Sequence, residues 1–302
     1  MKLSVVVPCY NEVANVSEFE SELSKTLLKE KITYEIIFVD DGSTDDTYNK
    51  LSSLNKANKN VKVIRFSRNF GKESAMLAGL KNASGSYVAI MDADLQHTPE
   101  MLILMYKKLI NDDSFDCCCA YKSNREDEGS LKRTLTSLFY KINNKISDVK
   151  LLPGASDFRV FKKSVCDAIT SLDEKTRFLK GMFSWVGFNT IYVPYMPEKR
   201  MYGTSKWSLF KLLKYSLGGI ISFSTKPIKS VFIIGVLALI VGLLNFILMG
   251  NLANRTIILF ISLIMLSIGI ISLYVSRIYS NILNRPCYII KEKLGFNDKS
   301  SK

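Results

Sequence analysis

Two pairs of acidic residues stand directly after short apolar stretches of the chain. Asp92 and Asp94 follow Met91, while Asp40 and Asp41 follow Val39. Carboxylate oxygens suit Mg²⁺ or Mn²⁺, ions that usually bridge to the phosphates of a substrate. The pair at 92 and 94 therefore predicts a divalent cation bound together with a phosphorylated ligand. The alternative is structural, because carboxylates after strands also cap loops and the first turns of helices.

The elements that must position these carboxylates alternate between short apolar stretches and helical ones. In the first 120 residues this alternation predicts a sheet built from βαβ units, and hence an α/β fold. The predicted strands are residues 3–7, 34–39, 61–66, 87–91 and 116–121. The first predicted helix covers residues 12–29. Because ligands bind beyond the carboxyl ends of strands in such sheets, we expect Asn11 and both acidic pairs on one rim.

The charge and the cysteine content limit the class of protein. Lysine and arginine total 41 against 28 acidic residues, and the net charge of +13 favours a polyanionic partner. That partner can be a nucleic acid, a lipid headgroup or a phosphorylated ligand. The six cysteines form no metal-binding or disulfide pattern, which predicts a reduced, cytoplasmic catalytic part. The apolar run that ends at Pro8 is too short for a signal peptide.

The last third of the chain is typical of a membrane anchor. No charged residue occurs at 230–254 or at 256–276, and about 20 apolar residues suffice to span a bilayer. Within residues 230–302 we predict two transmembrane helices, 231–249 and 256–276, joined as a hairpin and followed by a cytoplasmic tail. Lys226, Lys229 and Arg277 flank the spans, so both termini are expected in the cytoplasm. A buried helical hairpin of a soluble protein is the alternative.

Two basic amphipathic segments precede the predicted spans. In residues 131–146 the leucines and isoleucines share one helical face, and in residues 207–229 Trp207 and several leucines alternate with lysines. A solvated surface helix and a helix lying on a membrane both fit the first segment. The second segment predicts a juxtamembrane interfacial helix, which would hold a catalytic domain of residues 1–206 against the bilayer.

Six ordered motifs carry a resemblance to a known family. The stretches 7–12 (VPCYNE), 39–45 (VDDGSTD), 68–72 (RNFGK) and 92–96 (DADLQ) together resemble family 2 of the inverting glycosyltransferases. The stretches 156–159 (SDFR) and 199–207 (KRMYGTSKW), with two terminal spans, resemble its polyprenyl-phosphate group. That group includes dolichol-phosphate mannose synthase and bactoprenol glucosyltransferase. The resemblance implies a GT-A fold, a nucleotide-sugar donor and a divalent cation, Mg²⁺ or Mn²⁺.

The resemblance also implies roles for individual residues. The residues implied to bind the nucleotide sugar are Pro8, Tyr10, Glu12, Asp40, Asp41, Asp92, Arg200 and Lys206. The residues implied to hold the cation are Asp92, Asp94 and Gln96. The residues implied to bind the lipid phosphate are Arg125, Arg133 and Ser137. The implied catalytic residues are Asp157 and Asp94. Two roles stay open, because Asp157 can instead orient Arg159, and Arg125, which precedes three acidic residues, can be a solvated surface residue.

The implied acceptor determines the mechanism that we expect. A sugar hydroxyl needs a base, but a phosphate monoester, whose second pKa is about 6, is already largely dianionic at neutral pH. The expected reaction moves a sugar, with inversion, from UDP-glucose or UDP-N-acetylglucosamine to a polyprenyl phosphate such as undecaprenyl phosphate. It takes place at the cytoplasmic face of the plasma membrane. The protein positions two anions and neutralises the leaving diphosphate, and no nucleic acid is expected as a partner.

Other classes of protein fit the chain less well. No GxGxxG motif follows the first predicted strand, which argues against a nicotinamide-dependent dehydrogenase. Phe66 and Glu73 stand where a P-loop requires Gly and then Ser or Thr. A processive polysaccharide synthase and a catalytically inactive membrane adaptor stay open as alternatives. Assembly into a homo-oligomer is equally open.

Overall fold

The protein is described by a computed structural model over residues 2–122, 130–175, 177–196, 218–219, 221–248 and 253–296. Its strands are β1 Lys2–Cys9, β2 Thr33–Asp40, β3 Val61–Phe66, β4 Tyr87–Ile90, β5 Cys117–Lys122, β6 Ala155–Lys162, β7 Thr190–Tyr195 and β8 Ile290–Leu294. Its helices are α1 Val16–Lys29, α2 Thr47–Ala57, α3 Lys72–Asn82, α4 Pro99–Asn111, α5 Ser130–Ile146, α6 Lys163–Ser171, α7 Leu179–Trp185, α8 Lys226–Leu248 and α9 Ala253–Ile282. The five predicted strands are confirmed, with small shifts at their ends.

The strands form one eight-stranded sheet in the order β7-β5-β6-β4-β1-β2-β3-β8. The central strands β4, β1, β2 and β3 are parallel, as βαβ connections require. β6 runs antiparallel to β4, with Arg159 opposite Ile90. The beginning of β6 therefore lies beside the carboxyl end of β4. This arrangement brings Asp157 to the rim where the two acidic pairs are found.

Helices cover both faces of this sheet. Phe19 of α1 and Leu102 of α4 pack on one face, while Met76 of α3 and Ile169 of α6 pack on the other. The strands β1, β2 and β4 are almost wholly buried. Burial on both faces explains why their sequences are continuous apolar runs rather than alternating ones.

The first helix begins later than the sequence predicts. α1 starts at Val16 and not at Glu12, since residues 12–15 form a turn in which the Asn15 N–H donates to the Glu12 carbonyl at 2.9 Å. The Glu12 N–H donates to the Thr47 hydroxyl at 2.9 Å, and Asn11 has a φ of 54°. The hydrogen bond to Thr47 binds the turn to the start of α2. Helix α1 therefore begins only after the turn.

The predicted spans coincide with two long helices. Residues 231–248 lie in α8 and residues 256–276 lie in α9, and the two helices contact each other. Among the described residues, one segment, Leu263–Ile282 of α9, is long and apolar enough to cross a membrane by length and composition. Large apolar side chains along both helices are exposed, among them Phe232 of α8 and Ile268 of α9. The transmembrane hairpin itself stays a prediction.

The tail after α9 returns to the sheet. β8 pairs antiparallel with β3 and becomes the edge strand. Residues 290–294, predicted from the sequence as part of a cytoplasmic tail, therefore complete the sheet of the domain predicted at 1–206. Of the predicted juxtamembrane helix 207–229, residues 207–217 lie outside the described part of the chain, and residues 226–229 belong to α8.

Candidate active site

The loops after β1 and β2 form the first part of the rim. The half-buried residues there include Pro8, Tyr10 and Glu12. The Asn11 N–H donates to Ser43 Oγ at 2.9 Å, and Asn11 Oδ1 accepts from the Thr44 N–H at 2.9 Å. These hydrogen bonds join the two loops, so that residues 8–12 and 40–44 form one surface.

Glycine is required at position 42. Gly42 has a φ of 65°, in the left-handed region, and a Cβ atom there would overlap the backbone of Arg68. The loop after β2 thus passes directly against the loop after β3, residues 67–71. We call residues 67–71 the donor loop, because backbone N–H groups in it donate hydrogen bonds to a rim carboxylate.

Asp40 and Asp41 are both buried, but the protein holds them differently. One Asp40 oxygen accepts the Ser43 N–H at 3.0 Å, and the other is buried without a hydrogen-bond partner. Both Asp41 oxygens accept backbone N–H groups of the donor loop, from Phe70 at 2.6 Å and Gly71 at 2.9 Å. Burial raises the pKa of Asp41 to about 6 in spite of these two hydrogen bonds. Asp41 therefore shapes the donor loop, while Asp40 keeps one buried oxygen without a hydrogen bond, 3.7 Å from Arg65 Nε.

Lys72 lies between two carboxylates that are distant in sequence. Its Nζ is 2.7 Å from Asp92 Oδ1 and 3.1 Å from Asp157 Oδ2. The lysine is the first residue of α3, immediately after the donor loop. Burial acts to lower the pKa of Lys72, but the two carboxylates outweigh it and hold that pKa well above its ordinary value. Lys72 therefore stays charged and sets the spacing between Asp92 and Asp157.

Asp157 stands near the start of β6 and faces this lysine. Its Oδ2 pairs with Lys72, while its Oδ1 is buried without a hydrogen-bond partner. Burial acts to raise the pKa of this carboxyl, but the charges of Lys72 and Lys180 hold it well below its usual range. The Arg159 guanidinium lies 4.4 Å from the Phe183 ring centroid. The ion-pair partner of Asp157 is thus Lys72 rather than Arg159.

The loop after β4 carries the remaining predicted cation ligands. Asp94 Oδ1 accepts the Gln96 N–H at 3.2 Å, and Leu95 between them has a φ of 57°, which is costly for this side chain. Leu95 packs on the core, which holds the turn in place. His97, the one histidine of the chain, is buried with Nε2 3.0 Å from the Tyr195 hydroxyl. Burial lowers the pKa of His97, so the imidazole is neutral at neutral pH.

The remaining predicted residues are not among those whose contacts are described above. Arg125, Arg200 and Lys206 are outside the described residues. Arg133 and Ser137 belong to α5, and Ser137 is exposed. Their implied contacts with lipid phosphate and diphosphate stay predictions.

Comparison with known proteins decides the family. The family described as Glycosyl transferase family 2 matches residues 4–170, the part of the chain that carries every rim carboxylate. The chain belongs to this family. An uncharacterized glycosyltransferase of Synechocystis sp. is 36% identical to it, and the match covers 98% of this chain and 96% of the relative. A prophage-derived bactoprenol glucosyl transferase of Shigella flexneri is 35% identical over 97% of this chain and 98% of the relative.

A solved structure agrees on the fold of this family 2 glycosyltransferase. Glucosyl-3-phosphoglycerate synthase of Mycobacterium tuberculosis, solved with Mn²⁺, UDP-glucose and phosphoglyceric acid, is 18% identical and superposes with a TM-score of 0.51. The match covers 73% of this chain and 77% of that chain. The predictions of the family, of glycosyltransferase activity and of a GT-A fold are confirmed.

The rim of the glycosyltransferase fits a divalent cation that is shared with a phosphorylated substrate. Within the ranges described, no three His, Cys, Asp or Glu side chains come together as a complete ion site. Asp92 and Asp94 still offer hard oxygen ligands after one strand, and Mg²⁺ commonly takes one or two carboxylates together with substrate phosphates. The unpartnered, buried Oδ1 of Asp157 adds an acceptor at the same rim. These carboxylate oxygens are suitable ligands for Mg²⁺ or Mn²⁺.

Two residues of the site carry little signal in the sequence. Lys72 is visible only as the last residue of the 68–72 motif, and nothing local indicates that it joins Asp92 to Asp157. Its position at a helix start after a rim loop is the one feature that could have indicated it. Tyr195 gives no signal, because the pairing of β5 with β7 that brings it to His97 joins distant segments.

Proposed function

We propose that this glycosyltransferase moves a sugar from UDP-glucose or UDP-N-acetylglucosamine to a polyprenyl phosphate such as undecaprenyl phosphate, with inversion. The observation that carries the proposal is the partly buried ion-pair set in which Lys72 joins Asp92, of the cation motif, to Asp157. The nearly full-length similarity to bactoprenol glucosyl transferases supports a glucosyl donor and a polyprenyl acceptor.

The donor is proposed to lie across the carboxyl ends of β1, β2 and β4. The Asp40 oxygen that has no hydrogen bond is the proposed acceptor for an N–H or hydroxyl group of the nucleoside, and Pro8, Tyr10 and Glu12 border the same surface. Asp41 contributes by holding the donor loop. Arg200 and Lys206 are proposed to contact the diphosphate, for which positive charge is the natural partner.

Positive charge is proposed to collect where the diphosphate leaves. A divalent cation held by Asp92, Asp94 and Gln96 would neutralise the charge that develops on the leaving diphosphate. Lys72 supplies a fixed positive charge at the same place, because its ammonium group already contacts Asp92. Since this charge is in position before the reaction, it stabilises the transition state without reorganisation of solvent.

Asp157 is proposed to act through its charge and not as a base. Lys72 and Lys180 keep its pKa low in spite of burial, so the carboxylate is ionised at neutral pH. The acceptor phosphate, with a second pKa of about 6, needs no proton removed. An ionised carboxylate favours the positive charge that builds up at the anomeric carbon as the bond to the diphosphate breaks. In-line attack from the opposite face gives inversion.

The acceptor is proposed to approach along α5, where Arg125, Arg133 and Ser137 are the candidate phosphate contacts. The face of α5 exposes two kinds of side chain: apolar Leu138 and Ile142, and cationic Lys141 and Lys145. This combination suits the headgroup region of a bilayer, where an interfacial helix buries apolar groups and attracts anionic lipid.

The anchor is proposed to place this face on the cytoplasmic surface of the plasma membrane. In this arrangement α8 and α9 both cross the bilayer, and both termini stay in the cytoplasm. The exposed apolar side chains along both helices support it, because contiguous apolar surface of this kind marks contact with lipid or with another protein.

The test is transfer by the full-length protein in membranes. Membranes with the wild type are incubated with a panel of radiolabelled nucleotide sugars and undecaprenyl phosphate, and the lipid products are resolved. We expect a single lipid-linked monosaccharide whose anomeric configuration, measured by NMR, is opposite to that of the donor. A polymeric product would favour the processive synthase instead, and lack of turnover of every donor would favour the inactive adaptor.

The variant Asp94→Asn tests the cation in the same assay. Loss of one carboxylate should lower transfer by about 100-fold or more, and excess EDTA should abolish transfer by the wild type. Asp113→Asn is the matched control, because its side chain is 96% exposed, and it should keep full activity. Undiminished transfer in excess EDTA would remove the cation from the mechanism.

A further inference from the structure

The chain returns to the catalytic sheet after its two long helices, and the returning residues lie behind the donor loop. We infer that residues 287–296, the return segment, position the donor loop, with Tyr288 and Glu292 as positioning residues for the nucleotide sugar. This inference rests on the proposed function to the extent that a nucleotide sugar is the donor. It assigns to the C-terminal segment a part in donor binding beyond membrane attachment.

Backbone pairing fixes the return segment to the strand that leads into the donor loop. β8 runs antiparallel to β3, with Leu294 opposite Val63 and Glu292 opposite Arg65. The pairing continues past β3, because the Ser67 N–H donates to the Ile289 carbonyl at 3.0 Å. Ser67 is the first residue of the donor loop. The return segment therefore holds the point at which that loop leaves the sheet.

A chain of aromatic contacts extends from the return segment to the rim. The Tyr288 ring stacks on Phe66, with centroids 5.0 Å apart and an interplanar angle of 8°. Phe66 in turn meets the ring of Phe70 edge to face at 5.8 Å. The Phe70 N–H donates to Asp41, as described above, and the Gly71 N–H next to it does the same. Removing the outermost ring should loosen each contact that follows it.

A second set of contacts leads from the return segment to Asp40. Glu292 lies opposite Arg65 in the pairing of β8 with β3, and burial together with the nearby Glu292 carboxylate raises the pKa of Tyr48 to about 12. The Arg65 guanidinium lies 4.0 Å from the centroid of the Tyr48 ring. Arg65 Nε is 3.7 Å from Asp40 Oδ2, the oxygen proposed to accept from the nucleoside. Glu292 is thus connected to the donor surface through two side chains.

The last turns of α9 are also fixed to the domain. Arg277 pairs with Glu174 at 3.6 Å, and the Tyr274 hydroxyl donates to the Ser224 carbonyl at 2.8 Å. Only residues 283–289 connect this fixed helix end to β8. The positions of the helices and of the donor loop are therefore coupled through a short connection. Removing the helices also removes the support behind the donor loop.

The test measures donor binding by the full-length protein in detergent. The probe is UDP-glucose, followed by calorimetry, and the kcat and the KM for donor and acceptor are measured separately. Tyr288→Ala should weaken binding of UDP-glucose by about tenfold, the effect of losing one aromatic stacking contact, with the acceptor KM unchanged. Tyr288→Phe keeps the ring and should bind as the wild type does. Ile289→Ala, at the exposed neighbouring side chain, is the matched control.

A second pair of variants covers the case in which Tyr288→Ala does not fold. Glu292 and Lys291 are both exposed residues of β8, so neither Glu292→Gln nor Lys291→Gln removes core packing. Glu292→Gln should weaken donor binding by about threefold, and Lys291→Gln should leave it unchanged. The comparison separates the contact with Tyr48 from a general effect of charge on the strand.

The outcomes separate this inference from the function on which it rests. Wild-type affinity for UDP-glucose in both Tyr288→Ala and Glu292→Gln would overturn the inference alone. A lowered melting temperature with unchanged donor affinity would overturn it too, since the return segment would then act only in stability. Absence of binding of any nucleotide sugar by the wild type would overturn the proposed function, and this inference with it.

Discussion

The inner rim of the sheet and its outer edge hold their residues by different forces. At the inner rim, Lys72 joins Asp92 and Asp157 through ion pairs at 2.7 and 3.1 Å. At the outer edge, where β8 meets β3, Tyr288 stacks on Phe66 and backbone hydrogen bonds join the strands. Ion pairs therefore hold the side chains of the inner rim, while ring stacking and backbone hydrogen bonds hold the outer edge.

This difference assigns a different kinetic effect to each region. Charges beside the reacting groups act on the transition state, so their loss should appear in kcat. Packing behind the donor loop determines how far that loop is preformed, so its loss should appear in donor affinity. Breaking a partly buried ion pair is also more costly than losing one aromatic contact. Substitutions at the rim should therefore have the larger effects.

The substitution Lys72→Met should have the largest effect of a single change at the rim. It leaves Asp92 and Asp157 facing each other without the ammonium group between them, and it removes the fixed positive charge that is proposed to stabilise the leaving diphosphate. We expect kcat to fall by about 1000-fold, and Lys72→Arg to restore part of it. Steady-state kinetics with both substrates measures the effect.

The control for this change lies on the same helix. Lys81, in the last turn of α3, is exposed, and Lys81→Met should keep wild-type kcat. If Lys72→Met raised only the donor KM and left kcat intact, Lys72 would bind ground state and transition state equally. The contrast between the two regions would then be wrong.

The substitution Asp157→Asn should have the next largest effect. It keeps the shape of the side chain but removes the negative charge that is proposed to lie beside the anomeric carbon, so kcat should fall by about 100-fold. Donor affinity, measured by calorimetry, should change little. Asp167→Asn, at an exposed carboxylate of α6, is the control. Unchanged turnover in Asp157→Asn would leave the carboxylate a structural role as the partner of Lys72.

The inner rim could be predicted from the sequence because its information is local. Each acidic pair stands at the carboxyl end of its strand, and parallel strands bring their carboxyl ends to one rim. The prediction therefore requires no knowledge of contacts between distant segments. Asp157 is different, because the antiparallel direction of β6 beside β4 brings it there. No local pattern around residue 157 encodes that direction, and its role came from the resemblance to a family.

The outer edge could not be predicted, for a physical reason that β8 illustrates. Residues 290–294 read IKEKL, with two lysines and a glutamate among five residues. Such a sequence is typical of a solvated tail, and it is equally typical of an edge strand, where charged side chains discourage further pairing. Only the backbone hydrogen bonds with β3 distinguish an edge strand from a solvated tail. Whether those hydrogen bonds form depends on where α9 ends.

The smallest predicted effect is a pH dependence that comes from Asp41. Its pKa of about 6 means that the carboxylate, which accepts N–H groups from Phe70 and Gly71, becomes protonated as the pH falls below 6. A neutral carboxyl is a weaker acceptor for these two donors, so the donor loop should be held less well. Affinity for UDP-glucose should fall about threefold between pH 7 and pH 5.5. Calorimetry across this range, without acceptor, avoids the titration of the acceptor phosphate.

The sign of the stability change makes this prediction distinctive. A carboxyl whose pKa is higher in the folded protein than in the unfolded chain binds its proton more tightly when folded. The contribution of Asp41 to stability is therefore complete below the unfolded pKa of 3.8 and is lost as the pH rises through about 6. Acidification through this window should thus weaken donor binding while this one group favours the folded state. Asp41→Asn, which cannot titrate, should remove the pH step in donor affinity. A step of the same size in that variant would mean that another group controls the donor loop.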